Sequence, residues 1–442
     1  MALSGARTYV GFGFGAIQAG LFLNEAYRSG NFGRLVVAEV SPDLVSSLRR
    51  AGGYYTLNIA HPDRVESVRI GPVEINDPSV AADRESLVAA LAEAQEIGTA
   101  IPSVTHYQSA EPGSLHRVLA VGLRRKAGSG GPAAVVYTAE NHNHAAEILE
   151  AAVLQEIPPA ERSAVHDWVQ FLNTVIGKMS GVISEPGTIR AQGLAPTTPQ
   201  GRHAFLVEDF NRILISRIEP HAVDRDSPFR RGIEVFEEKQ DLLPFEEAKL
   251  YGHNATHALA AYVGALAGAR LIADLMDMPG VLPFLRAAFV QESGEALIRK
   301  HAGMDPLFTR DGYAHYAGDL LARMTNRYLL DTIERVGRDP ARKLGWNDRL
   351  VGTMRMALGQ GVEPRRYAFG AAAALAVLDR SILEQPRPAE TLLDPLWRVA
   401  SPPQGAREAV LGRIETGLQQ LRAWCGGGFG DLEGLFEGES YG

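Results

Sequence analysis

From Glu246 to His257 the chain reads EEAKLYGHNATH, which sets a lysine, a glutamate, two histidines and an asparagine within twelve residues. A lysine whose pKa is lowered can take the proton of an alcohol. An asparagine amide can donate to the alkoxide that results, and a histidine can orient a hydroxyl. With Lys249 at the origin of a wheel turning about 100° per residue, Glu246 falls at about 60°, His253 at about 40°, His257 at about 80° and Asn254 at about 140°. These polar side chains share one face, and Ala258, Leu259, Tyr262 and Val263 lie towards the other. A solvated helix face gives a similar wheel, but Glu/Lys pairs are its more usual content. His253 with His257, and His142 with His144, also have the spacing of metal ligands; no HExxH motif accompanies them, and polar neighbours are the simpler reading.

The segment that must carry this face, Leu243 to Ala273, is rich in helix formers and has no proline after Pro244. Upstream, Thr8 to Phe12 reads as a buried strand running into Gly11-Phe-Gly13-Phe-Gly15. A helical pattern follows from Ile17 to Arg28, and then a second strand, Arg34 to Val40, with Glu39 near its end. This is a β-turn-α-β unit of the dinucleotide-binding kind, with a flavodoxin-like or other α/β turn that holds no cofactor as the alternative. Gly11, Gly13 and Gly15 let the backbone approach a pyrophosphate, and the helix start offers it free N–H groups. Glu39 can accept from a ribose diol and would repel a 2′-phosphate, which favours NAD over NADP. The third glycine of the usual pattern is replaced by Gln18 in Gly13-x-Gly15-x-x-Gln18 and by Ala16 in Gly11-x-Gly13-x-x-Ala16. Ala133 to Tyr137 reads as a further strand. It delivers Glu140 and Asn141 to the carboxyl end of the sheet, where cofactors collect; a helix N-cap is their alternative role.

Beyond this point Ala145–Gln155 and Ala160–Lys178 read as helices, and Ala204–Val207 and Ile213–Ile215 as short strands. Residues 217–240 read as an irregular insert, and the chain is almost all helix from Leu243 onward. The expected architecture is α/β plus α. A Rossmann-type dinucleotide-binding domain spans 1–215 with an insert to about 240, a mostly α-helical substrate domain spans 241–425, and 426–442 is a flexible glycine-rich tail.

Composition narrows the function classes. The chain has 442 residues, 45% of them apolar and 22% charged, with a net charge of −8 and no basic run, which disfavours nucleic acid and anionic membrane as partners. Cys425 is the single cysteine, so an internal disulfide and cysteine-built metal sites are excluded within one chain. No signal peptide fits the start, and no apolar run approaches about 18 residues, so a cytoplasmic protein is expected.

Several stretches are similar to one known family. KLYGHNATHALAAYVGALAG, QESGEALIRK and ERVGRDPARKLGWNDRL in the C-terminal half, with GFGAIQAGLF and the AEN at 139–141, resemble the polyol-specific long-chain dehydrogenases/reductases, the mannitol dehydrogenase family. The resemblance implies that Lys249, Asn254 and His257 fill the signature Lys-x4-Asn-x2-His. Lysine is then the general base, asparagine a donor to the reacting oxygen and histidine a substrate-positioning group. It implies Asn141 as a second oxyanion donor, Glu246 as a gate for proton exchange, and Arg342, Lys343 and Arg349 as binders of a substrate anion. His253 departs from the more usual apolar residue.

The implied reaction is NAD-dependent, metal-independent oxidation of a secondary alcohol of a sugar alcohol or its phosphate, with mannitol 1-phosphate and fructose 6-phosphate as the first pair, by a monomer. Free mannitol or altronate-type acids are alternatives within the family. An NAD- and metal-dependent glycosidase and a non-catalytic NAD-binding sensor are the alternatives outside it.

Overall fold

The computed structural model describes residues 7–219, 229–385 and 387–437. It divides into two compact units, Met1–Leu243 and Pro244–Gly442.

Among its described residues the first unit contains twelve strands: β1 (Arg7–Phe12), β2 (Phe32–Ala38), β3 (Tyr55–Ala60), β4 (Val65–Ile70), β5 (Glu74–Asn76), β6 (Glu96–Thr99), β7 (Ala134–Thr138), β8 (Val169–Val175), β9 (Ser180–Ile183), β10 (Ala204–Glu208), β11 (Ile213–Ser216) and β12 (Phe236–Lys239). The large sheet runs β12-β11-β8-β7-β6-β1-β2-β5, and the small one β4-β3-β10-β9. From β5 through β8 every neighbour pair is parallel. The order β5-β2-β1-β6-β7-β8 is that of a doubly wound nucleotide-binding sheet, whose switch point lies between β1 and β6.

The reason is visible in β1. Tyr9 enters the core on one face of the sheet, and Val10 and Phe12 enter the core on the other. A strand buried on both faces needs an apolar run rather than an alternating pattern.

Two expectations need correction here. Ala160–Lys178 is not one helix: the helix ends at Trp168 and the chain continues as β8. Val169, Leu172 and Val175 are the buried residues of that strand, a period of three that imitates a helix. The insert is also less irregular than expected, since Phe236–Lys239 forms the edge strand beside β11. Part of it, residues 220–228, lies outside the described residues.

The second unit is helical. Its central helix runs from Leu243 to Leu266 with a π turn at Ala248–Asn254. It stops short of the expected Ala273, and Gly268 follows it in the left-handed region at φ +82°. The helix Arg365–Leu378 packs on it, and the helix Gln404–Gly426 packs on Arg365–Leu378 in turn. The second pair approaches closely because Gly417 has no Cβ, which would stand 2.7 Å from the Ala368 carbonyl oxygen. Among the described residues no helix is long and apolar enough to cross a membrane.

The tail expected to be flexible is packed as far as it is described. Leu432 and Phe436 are buried, and the Phe436 ring lies 5.0 Å from Phe284 and 5.7 Å from Phe369, centroid to centroid. Glu433 receives both Arg366 Nε, at 3.1 Å, and a terminal nitrogen of the same guanidinium, at 2.5 Å. Glycine content suggested a mobile end, but two apolar anchors and an ion pair fix it. Residues 438–442 lie outside the described residues. Phe436→Ala is therefore expected to cost about 3 kcal/mol in denaturant unfolding; an unchanged midpoint would return the tail to the flexible class.

Candidate active site

The α-helical wheel misplaces one member of the polar set. Over Ala248–Asn254 the hydrogen bonding is of π type. There the bond reaches i+5, and a five-residue step is close to one turn. Lys249 and Asn254 are five apart and so come to nearly the same side of the helix, and three α-helical residues later His257 joins them.

Burial confirms this sorting. Glu246, Lys249, Asn254 and His257 are each partly accessible, whereas Ala248, Gly252, His253, Ala255, Thr256 and Ala258 are buried. His253, level with the others on the wheel, thus belongs to the inward side.

Packing against a second helix accompanies the π turn. A Cβ on Gly252 would meet the Tyr313 hydroxyl and the Phe289 ring edge, the latter at 2.7 Å. Phe289 lies in another π turn, Ala288–Gly294, where a Cβ on Gly294 would stand 2.7 Å from the Tyr313 ring. The Thr256 hydroxyl is 2.8 Å from the Tyr367 hydroxyl, which is 3.1 Å from that of Ser293. The Thr353 hydroxyl donates to the Tyr251 carbonyl at 3.2 Å. Neighbouring helices thus hold the π segment by its inner side and leave its partly accessible side to other groups.

The electrostatics follow from placement. Burial pulls the Lys249 pKa down to about 8; the Arg349 charge adds to this and Glu246 opposes it. His253 is pushed well below the ordinary histidine value by burial, with His257, Arg323, Lys249 and Arg349 adding to the effect, so it is a neutral ring beside a cationic group of residues. Its ring centroid is 6.1 Å from that of His257. His257 Nε2 lies 3.0 Å from Asp331 Oδ2, and Asp331 is almost wholly buried. Burial alone would raise the Asp331 pKa, but His257 and Arg335 outweigh it and hold the carboxyl below the usual range. Sequence reasoning missed Asp331, because nothing local marks a carboxylate that meets its histidine only through the fold.

The three expected anion binders are not equivalent. Arg349 is mostly buried, pairs with Asp348 at 2.9 Å and bears on Lys249, His253 and Tyr262. Arg342 is half exposed, with Asp339 at 3.1 Å and Asp348 at 2.9 Å. Lys343 requires correction: its ammonium is buried and donates to the carbonyls of Val336, at 2.5 Å, and Arg338. It closes the end of the helix Ile333–Gly337 rather than facing a substrate.

In the first unit, the carboxyl ends of β1, β6 and β7 carry the nucleotide candidates. Gly13 has φ +82°, and a Cβ there would stand 2.8 Å from the Ala100 carbonyl oxygen just beyond β6. Nothing lies within 4 Å of a Cβ built on Gly15, so the approach to the helix start at Ala16 and Ile17 is open. Gly11 serves differently. It lies within β1, and the buried Gln18 amide, which donates to the Tyr9 hydroxyl at 2.8 Å, fills the space beside it.

Glu39 accepts from Phe14 N and Ser41 N, each at 2.7 Å, which ties the glycine turn to the end of β2. Each carboxylate oxygen retains a further lone pair for a ribose hydroxyl. Glu140, expected to touch the cofactor, is instead buried and accepts from Thr99 Oγ1 at 2.8 Å, Ile101 N at 2.9 Å and the Tyr107 hydroxyl. It fixes the loop after β6. Asn141, next to it, is exposed. Open space at Gly15, a free helix start and an acid at the end of β2 fit a dinucleotide. Among the described residues no three His, Cys, Asp or Glu side chains are grouped to hold a metal ion.

Comparison with known proteins agrees with both units. Residues 7–219 match the family model for the mannitol dehydrogenase Rossmann domain, and residues 241–406 that for the mannitol dehydrogenase C-terminal domain. Mannitol-1-phosphate 5-dehydrogenase of Bacillus licheniformis is 28% identical over 364 residues, covering 82% of this chain and 86% of the relative. The enzyme of the same name from an Arthrobacter species is 29% identical over 374 residues, covering 84% and 86%. A substrate-free D-sorbitol dehydrogenase structure shares the fold at TM-score 0.73 and 15% identity, over 96% of this chain and 97% of that one. Mannitol 2-dehydrogenase of Pseudomonas fluorescens, solved with NAD and D-mannitol, does so at TM-score 0.66 and 17% identity, over 99% and 95%. With both of its units matched by models of one family, the chain belongs to the mannitol dehydrogenase family.

Proposed function

We propose that this chain is an NAD-dependent polyol dehydrogenase that oxidises a secondary alcohol of a sugar-alcohol phosphate, mannitol 1-phosphate first, to the ketose phosphate and runs in reverse as a reductase. The observation that carries the reading is the Lys249 amine, brought down to about 8 on a π turn that it shares with Asn254. At pH 7.5 a lysine of pKa 10.5 is about 0.1% neutral, whereas one of about 8 is roughly a quarter neutral. That difference turns an inert cation into a usable base.

NAD, when bound, accepts the hydride. Gly13, Gly15, Ala16 and Ile17 hold its pyrophosphate and Glu39 its ribose. Lys249 takes the hydroxyl proton. Asn254 donates an amide N–H to the oxygen as it gains charge and, by the family resemblance, Asn141 supplies a second. His257 orients the polyol, and Glu246, whose charge opposes the lysine's loss of its proton, serves as the outlet towards solvent. The relatives named for mannitol 1-phosphate support the phosphorylated substrate, and the electrostatic reach of Arg349 to Lys249 supports it as the cation for the substrate anion. No metal is required in this scheme, because amide donors take the part of a Lewis acid.

Lys249→Ala is expected to lower kcat by about 10²–10⁴-fold with NAD affinity retained. The base must be neutral for oxidation and protonated for reduction. In the parent protein, oxidation should therefore rise with pH to a plateau with its midpoint at about 8, and reduction should fall over the same range. Profiles flat from pH 6 to 10 would place the base elsewhere. Asn254→Ala should depress kcat by about 10²–10³-fold with little change in KM; the reverse pattern would make it a ground-state binder.

A panel of mannitol 1-phosphate, mannitol and altronate with NAD and NADP, in the presence of EDTA, should favour the phosphate and NAD. Arg349→Ala should then raise KM for the phosphate by about tenfold or more while leaving KM for mannitol nearly unchanged. An equal change for both would remove Arg349 from anion recognition.

A further inference from the structure

We propose that Asp331 is the positioning residue for His257, fixing which ring nitrogen carries the proton and how the ring is turned. The proposal rests on the polyol dehydrogenase reading above. Asp331 Oδ2 lies 3.0 Å from His257 Nε2, within ion-pair distance, and both atoms are buried with no hydrogen-bond partner among the described residues. The other carboxylate oxygen accepts from Arg335 through Nε at 2.9 Å and a terminal nitrogen at 2.5 Å. One oxygen is thus clamped from the solvent side and the other is left to the imidazole. A carboxylate against one ring nitrogen keeps the proton there and leaves the second nitrogen as acceptor.

The backbone around Asp331 is built to hold this aim. Leu330, immediately before it, has φ 54° and ψ 36°, a left-handed conformation that a bulky L residue adopts only when its surroundings impose it. The Asp331 carbonyl accepts Ile272 N at 2.9 Å, and Ile333 N donates to the Arg270 carbonyl at 2.9 Å. Leu271 and Thr332 pair as a short antiparallel bridge. The strained turn is thereby fastened to the segment that follows the end of the catalytic helix. A salt link to Arg335 alone, half exposed as that side chain is, would not require a buried aspartate on a strained turn.

Two readouts test the assignment. In full-length 15N-labelled protein, with the His257 signals identified by their loss in His257→Gln, the ring should carry its proton on Nε2, and Asp331→Asn should abolish that preference. A proton found on Nδ1 with Nε2 bare in the parent protein would overturn the proposal without recourse to any variant. In kinetics with mannitol 1-phosphate and NAD, Asp331→Asn should lower kcat/KM by about 10–100-fold. In a His257→Gln background the same change should cost less than about twofold, because a residue that acts only through its partner adds nothing once the partner is gone. Equal losses in both backgrounds would make Asp331 a structural residue only. If the parent protein oxidises no polyol, the function proposed above fails, and the ring-nitrogen measurement still decides the role of Asp331.

Discussion

An amine taken out of water loses part of its reason to be charged, and the helical unit does this to Lys249. Burial lowers its pKa to about 8 and Arg349 presses in the same direction, while Glu246 limits the fall. The π turn adds the geometric part. By lengthening the turn it brings the five-residue step from Lys249 to Asn254 onto one side, so that the amine and the amide share a face of one helix. The inner side of that helix is gripped at Gly252, Thr256 and Tyr251 by the aromatic and hydroxyl groups of neighbouring helices. The packed C-terminal segment reaches the same region indirectly. Glu433 holds Arg366, and the buried Glu292 accepts the backbone N–H groups of Arg366 and Tyr367, whose ring hydroxyl meets Thr256.

The nucleotide-binding unit solves a different problem with similar economy. Its glycine turn has to be tight and open at once. Gly13 makes the turn with a positive φ, and Gly15 leaves the helix start uncovered. Two buried carboxylates brace the loops around them, Glu39 across the turn and Glu140 across the end of β6. Gln18 in place of the third glycine fills the space over Gly11 with its own amide and ties it to Tyr9, so the departure from the usual motif is absorbed inside the core.

What the sequence made legible was whatever depends on local covalent constraint. A buried strand, a glycine turn, a helix and an acid in order are set by neighbours along the chain, and the nucleotide unit was readable from them. The α/β-then-α order was readable for the same reason. Features set by contacts between distant segments were not. β8 buries every third residue, Val169, Leu172 and Val175, and this mimicked a helix. The π turn goes with the packing of Gly252 against Tyr313 and Phe289, so an α-helical wheel left His253 among the reactive residues, although it faces the interior as a neutral ring. A basic side chain near a substrate site suggested an anion ligand at Lys343, where the fold uses the ammonium to close a helix end. Asp331 carried no signal at all, since its partner is remote in the chain.

The central claim is that Lys249 is a base because the fold denies its charge full solvation, and titration of that one amine tests it most directly. With the lysine amines 13C-dimethylated and the Lys249 resonance assigned by its absence in Lys249→Arg, NMR titration of the ligand-free protein is predicted to give a midpoint at about 8. A Lys249 midpoint at the ordinary lysine value of about 10.4 would contradict the account, however well the rest of the fold agreed with it.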